Sequence, residues 1–139
     1  MLNKVKRLLN ENDTRLVIIK NDVIATSNER GIKTLLDILD SNKDFSGAYV
    51  ADKVVGKAAA MVYVLLGIKA LYAKVISEGA KEIIKANGIC LEYDESVPYI
   101  VNRAGNGMCP MEEAVGDECK PEAAINKVRK RLEQLLKNS

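Results

Sequence analysis

Val50-Ala51-Asp52-Lys53-Val54-Val55-Gly56-Lys57-Ala58-Ala59-Ala60-Met61-Val62-Tyr63-Val64-Leu65-Leu66-Gly67 is the stretch whose reading decides the fold of this chain. Its charged residues, Asp52, Lys53 and Lys57, fall in the first part. The remainder is apolar on almost every side, which marks a helix buried all round. Read as a helix opening at Asp52, it has a carboxylate at the N-cap, where it accepts free backbone N–H groups. Lys53 is then N1, and Lys57 follows one turn later on the same face. Gly56 with Ala58, Ala59 and Ala60 lets neighbouring backbone approach closely, and Gly67 ends the helix in a left-handed cap.

Working back from this stretch, residues 47–50 read either as a very short strand or as an extended lead into the helix. Ile32, Leu35, Leu36 and Leu39 mark a helix that ends near Ser41-Asn42. Residues 15–20 and 23–26 read as strands joined through Asn21-Asp22 into a hairpin. Leu2, Val5, Leu8 and Leu9 give an amphipathic helix over residues 2–11.

Working forward, residues 68–76 read as a central strand. Ser77 caps a helix containing Ile83 and Ile84 that stops at Asn87-Gly88, and residues 89–93 form another strand. Helix and strand alternating across short joints implies parallel strands. Residues 97–101 read either as a strand, confined to an edge by Pro98, or as a single helical turn. Residues 104–108 form a glycine-containing loop. Pro110 and Pro121 each open a helix at the position where a missing N–H does no harm. The second of these puts Ile125, Val128, Leu132 and Leu135 on one face. No repeat or linker interrupts the chain, so residues 1–139 read as one α/β domain. Its N-terminal helix lies within 1–13, and the C-terminal helix, 121–136, packs on the core.

Composition narrows the function. At 139 residues the chain is long enough to bury one core. A net charge of +2 does not point to nucleic acid or a membrane surface. The longest uncharged apolar run, residues 58–68, is well short of the roughly 20 residues that span a bilayer. The basic N-terminus lacks the apolar segment of a signal peptide, so the expected location is cytoplasmic. Three cysteines, Cys90, Cys109 and Cys119, lack motif spacing and argue against a disulfide framework. Histidine is absent, which removes the usual general base and the commonest zinc ligand. Lys127, Arg129, Lys130, Arg131 and Lys137 on the last helix lack interleaved aromatics and read as a solvated face rather than an RNA-binding one.

The candidate chemistry sits at helix N-termini. Lys53 and Lys57 would crowd positive charge onto a helix end that already carries about half a unit, and an anion would relieve it. Ser77, with the N–H groups of Glu78, Gly79 and Ala80, would form a second such end beside the first, at the carboxyl edge of a parallel sheet. Cys109, just before Pro110, would occupy an N-cap, where the helix dipole favours a thiolate. Without histidine a papain-like mechanism is excluded. Asn102 and Arg103 suit a carboxylate or phosphate. Whether they and Cys109 join the main site depends on the reading of residues 97–101.

This order of elements resembles the cytidine-deaminase-like superfamily. Ala51-Asp52-Lys53-Val54-Val55-Gly56-Lys57-Ala58-Ala59-Ala60 and the segment from Val97-Pro98-Tyr99-Ile100-Val101-Asn102-Arg103 through Gly107-Met108-Cys109-Pro110-Met111-Glu112-Glu113 are similar to a family of small bacterial and archaeal proteins known only as a domain of unknown function. The resemblance runs from about residue 14 to 116. It implies a three-layer α/β/α fold whose mixed sheet, of about four or five strands, starts with a β-hairpin. It also implies a homo-oligomer. Zinc deaminases hold their metal with H-x-E or C-x-E at one helix start and P-C-x-x-C at the next. Here those places read Val50-Ala51-Asp52-Lys53 and Ile76-Ser77-Glu78-Gly79-Ala80, so no metal and no cofactor are expected. The expected function is a zinc-free domain binding a small anionic metabolite or nucleotide through Asp52, Lys53, Lys57, Ser77, Glu78, Gly79, Asn102 and Arg103. The alternatives are a cysteine-dependent enzyme using Cys109, or a structural or regulatory subunit without a ligand.

Overall fold

The structure is a computed structural model that describes residues 2–11, 13–21, 23–28, 31–102 and 104–137. Leu2–Glu11 is α1, Leu16–Lys20 is β1, Val23–Ser27 is β2 and Lys33–Asp40 is α2. Tyr49–Val55 is β3, Lys57–Leu66 is α3, Ala70–Ser77 is β4 and Glu78–Ala86 is α4. Cys90–Val97 is β5, Pro110–Val115 is α5 and Pro121–Lys137 is α6. The fold is α/β, with a five-stranded mixed sheet in the order β2-β1-β3-β4-β5. β1 runs antiparallel to β2 and β3, while β3, β4 and β5 are parallel. Asn21 has a φ of 53° in the tight turn between Lys20 and its partner Val23, the left-handed conformation that short hairpin loops require.

The strands sort their side chains by period two. Leu16 and Ile18 join the larger core cluster, whereas Val17 and Ile19 join a smaller one with Ala51 and Tyr72. α1 belongs to the smaller cluster, burying Val5 and Leu9 completely against those strands. Each such burial is worth about 1.5–3 kcal/mol. The larger cluster is built around α3, in which Ala58 to Tyr63 are all buried. α3 touches α2, α4, α5 and α6, and α6 contributes Ala124, Ile125 and Val128. Among the described residues no helix is long and apolar enough to cross a membrane.

The deciding stretch divides differently from the sequence reading. Residues 49–55 are strand β3, not the start of a helix, because backbone pairing on both sides outweighs helix propensity. Leu16 pairs with Asp52 on one side and Ala73 with Asp52 on the other. Asp52 therefore caps nothing, and Lys53 is not N1. The helix opens at Gly56, whose carbonyl accepts the Ala60 N–H at 3.0 Å. Residues 97–101 are neither of the two forms expected. β5 runs on to Val97 and ends before Pro98; the chain then folds back so that Val101 bridges Met108. Asn102 N–H to Gly107 O at 2.8 Å and Cys109 N–H to Ile100 O at 2.7 Å close the loop.

Gly67 does end α3, at φ 70°, with its N–H shared between the Tyr63 and Val64 carbonyls at 3.1 Å. Gly67→Ala should lower stability by about 1 kcal/mol, read as a reduced urea midpoint. An unchanged midpoint would contradict a left-handed cap at this position.

Candidate functional site

The two helix ends singled out by the sequence lie side by side, and the protein occupies the space between them itself. α3 has no side-chain cap of its own, since Gly56 is its N-cap. Instead the Lys57 N–H donates to Glu112 Oε1 at 3.3 Å, and Glu112 is only 2% exposed. The negative charge that this helix end favours thus comes from α5, 55 residues further along the chain. Gly56 is required by close approach, not by its backbone angles. A Cβ there would stand 2.9 Å from Glu112 Oε1 and 3.2 Å from Ile100 Cγ1.

Lys57 spans the gap to α4. A Cβ on Gly79 would overlap the Lys57 stem, so the lysine lies across the glycine face of α4. Its Nζ donates to the Gly116 carbonyl at 2.9 Å, a cation on the C-terminal end of α5. Ser77 is fully buried and caps α4, its hydroxyl accepting the Ala80 N–H at 3.2 Å. Glu78 accepts the Ser96 hydroxyl at 2.8 Å and pairs with Lys81 at 3.4 Å. The Ser96 hydrogen bond, then Lys81, holds its carboxyl below the usual carboxylate range. Lys53 projects from β3 on the side opposite Asp52.

A separate, open feature does collect candidate residues. A groove of about 890 Å³ runs between the start of β1, the first turn of α2, the end of β3, the opening of α3, the 100–102 loop, α5 and the last turns of α6. It brings together Asp52, Asn102 and Cys109, and it leaves out Lys53, Lys57, Ser77, Glu78 and Gly79. Arg103 lies outside the described residues. Asn102 spends its amide locally, donating to Asn106 Oδ1 at 3.0 Å and accepting the Asn106 N–H at 3.2 Å. Cys109 is the N-cap of α5 without a side-chain cap bond, and its carbonyl accepts the Glu113 N–H.

Sequence reasoning missed Arg15, Tyr63 and Glu112. Tyr63 donates its hydroxyl to Asp52 Oδ2 at 2.5 Å, and the Val54 N–H reaches Oδ1 at 3.3 Å. Burial pushes the Asp52 carboxyl up to about 6, against the opposing pull of Tyr63, of Val54 and of the Arg15 charge. Burial and the neighbouring Asp52 raise the Tyr63 phenol well above its ordinary value. No local pattern announces these partners, because each comes from a different element.

This perturbed carboxyl gives a stability signature. Between 3.8 and about 6 the folded chain keeps a proton that the unfolded chain has released. The contribution of Asp52 to stability therefore falls as pH rises through that window and stays low above it. Tyr63 and Arg15 face the group, and Glu112 lines the same groove. Asp52→Asn keeps an acceptor for the Tyr63 hydroxyl while removing the charge. Its melting temperature should exceed that of the wild type at pH 7.5, with the gap closing toward pH 4. A gap that does not vary with pH would show that this group does not titrate as described.

Comparison with known proteins follows the same architecture. A search among curated proteins found no match. The chain is similar to the crystal structure of a DUF1893 family protein (TM1506) from Thermotoga maritima. The two are 29% identical with a TM-score of 0.85, over 94% of this chain and 88% of that one. Residues 4–132 match the family model described as "TM1506: Domain of unknown function (DUF1893)". A match over that much of the sequence makes this chain a member of the DUF1893 family.

Proposed function

We propose that this protein is a zinc-free, deaminase-like binding domain whose groove takes a small anionic metabolite of nucleotide type. The observation that carries the reading is the groove itself, which places a partly charged, perturbed carboxyl and a guanidinium together in a cavity of ligand size. The anionic end is supported by Arg15 and Lys33 and by the first turn of α2. That helix opens at Ile32, whose side chain has no polar atom to cap it, and its first turn carries no acidic residue. Leu16, Ile32, Leu35, Ala59, Ile100 and Leu132 supply apolar wall for a base or ring.

The strand order, with β1 antiparallel and three parallel strands following, supports the resemblance to the deaminase-like superfamily. α1 on one side of the strands and α3 among the helices of the larger cluster support a three-layer arrangement. The residues at the helix openings do not fit a zinc ion. Gly56-Lys57-Ala58 and Ser77-Glu78-Gly79-Ala80 contain neither histidine nor cysteine, and the Lys57 stem fills the gap between them. The groove beside α3, rather than the gap between α3 and α4, is therefore where a ligand fits.

Differential scanning fluorimetry with nucleoside monophosphates tests this. The wild type should be stabilised by several degrees at millimolar ligand. Arg15→Ala should lose most of that shift, whereas Lys57→Ala, though less stable by itself, should keep it. A shift that depends on Lys57 and not on Arg15 would move the ligand to the paired helix ends. No shift with any nucleotide would remove the reading.

A further inference from the structure

Asp52 presents itself to the groove as a carboxylate fixed at two points. Oδ1 accepts the Val54 N–H from its own strand, and Oδ2 accepts the hydroxyl of Tyr63, a fully buried residue of α3. An ionised carboxylate has about four lone-pair sites, so each oxygen can accept a further donor. Its orientation is set by β3 and α3, which are parts of the core, and needs no ligand. Val54, Ala58, Ala59 and Ile100 line the groove with it. Small aliphatic walls receive the faces of a planar ring, and two preset acceptors receive an edge carrying two adjacent donors.

Resting on the reading that the groove holds a nucleotide, we propose that Asp52 makes it selective for guanine, whose N1–H and 2-amino group offer two parallel N–H donors to one carboxylate. The other bases match it poorly. Adenine and cytosine set one amino donor beside a ring-nitrogen acceptor, which would face a carboxylate oxygen lone pair to lone pair. Uracil places its one N–H between two carbonyls. Hypoxanthine keeps N1–H but lacks the 2-amino group. Leaving a half-buried, charged acceptor without its donor is the kind of mismatch that discriminates.

Isothermal titration of the full chain at pH 7.5 with GMP, IMP, AMP, CMP and XMP tests the assignment. GMP should bind tightest, IMP about ten- to a hundredfold more weakly for want of one charge-assisted bond, and AMP and CMP more weakly still. Asp52→Asn should invert the order of GMP and XMP, because an amide donates to the xanthine C2 carbonyl while accepting N1–H. Equal binding of GMP and IMP, or tighter binding of AMP or CMP, would overturn guanine selectivity while leaving a nucleotide site in place. A uniform loss across all nucleotides in Asp52→Asn would assign the carboxylate to the ribose hydroxyls, and this also overturns it. The absence of heat with every nucleotide would overturn the nucleotide reading itself. The GMP to IMP ratio needs only the wild type, so the test does not depend on a variant folding.

Discussion

The carboxylate of Glu112, buried at the mouth of α3, is the interaction from which the rest of the site follows. A helix whose first turn lies inside the protein must find acceptors for backbone N–H groups that have no partner within the helix. α3 opens on a glycine and offers no side-chain oxygen of its own. Glu112 fills that role from another helix, and the consequences are geometric. A Cβ at position 56 would displace the Glu112 carboxylate and crowd Ile100. α5 must dock against α3 to deliver the group, and Lys57 then secures the far end of α5 through the Gly116 carbonyl. Ile100, Val101, Asn102 and Cys109, between β5 and α5, form one wall of the groove. Removing one partner of such a buried, charge-bearing contact costs more than its net value, because the other is left uncompensated. The α5 side of the groove therefore rests on α3 being capped from outside.

How much of this was legible from the sequence depends on whether the deciding physics was local. α1, α2, α4 and α6 lie within a few residues of where periodicity places them, since each has one buried and one solvated side, and the β1–β2 hairpin is marked by its β-branched runs and the turn residues between them. Ser77 and Gly67 were read correctly as caps because capping is settled within a turn of the residue. β3 was misread for the opposite reason. It lies between β1 and β4 and carries buried residues belonging to both core clusters, so it lacks the alternation that betrays a half-exposed strand. With a run of alanines directly after it, Asp52 looked like a helix cap. Glu112 was illegible in another way: three positions after Cys109, a glutamate reads as serving the first turn of its own helix, and nothing nearby assigns it to a different one.

The misplacement of Asp52 changed its chemistry more than its position. At a helix cap the carboxylate would have been consumed by backbone N–H groups in a solvated turn. In a strand it faces α3, meets Tyr63 and opens onto a cavity. The paired helix ends that drew attention in the sequence are satisfied by Glu112 and bridged by Lys57. The start of α2, unremarkable in sequence and opening on Ile32, lines the groove together with the starts of α3 and α5.

The molecule contains its own control for what the Asp52–Tyr63 pair means. On the α1 side of the sheet Tyr72 donates its hydroxyl to Asp94 Oδ2 at 2.6 Å, with Lys6 stacked 5.0 Å from the ring centroid. Burial and then Asp94 push that phenol up to about 12. Both pairs solve the same problem, a buried tyrosine hydroxyl that must find an acceptor. Asp94 solves it from an exposed position on β5. Asp52 solves it where burial raises its own pKa to about 6, so that near neutral pH the charge is held against its own desolvation. An asparagine would satisfy Tyr63 equally well without that penalty. Anchoring the tyrosine accounts for an acceptor at position 52 but not for a charged one, and within the fold the charge is answered only from a distance, by Arg15 on the same groove.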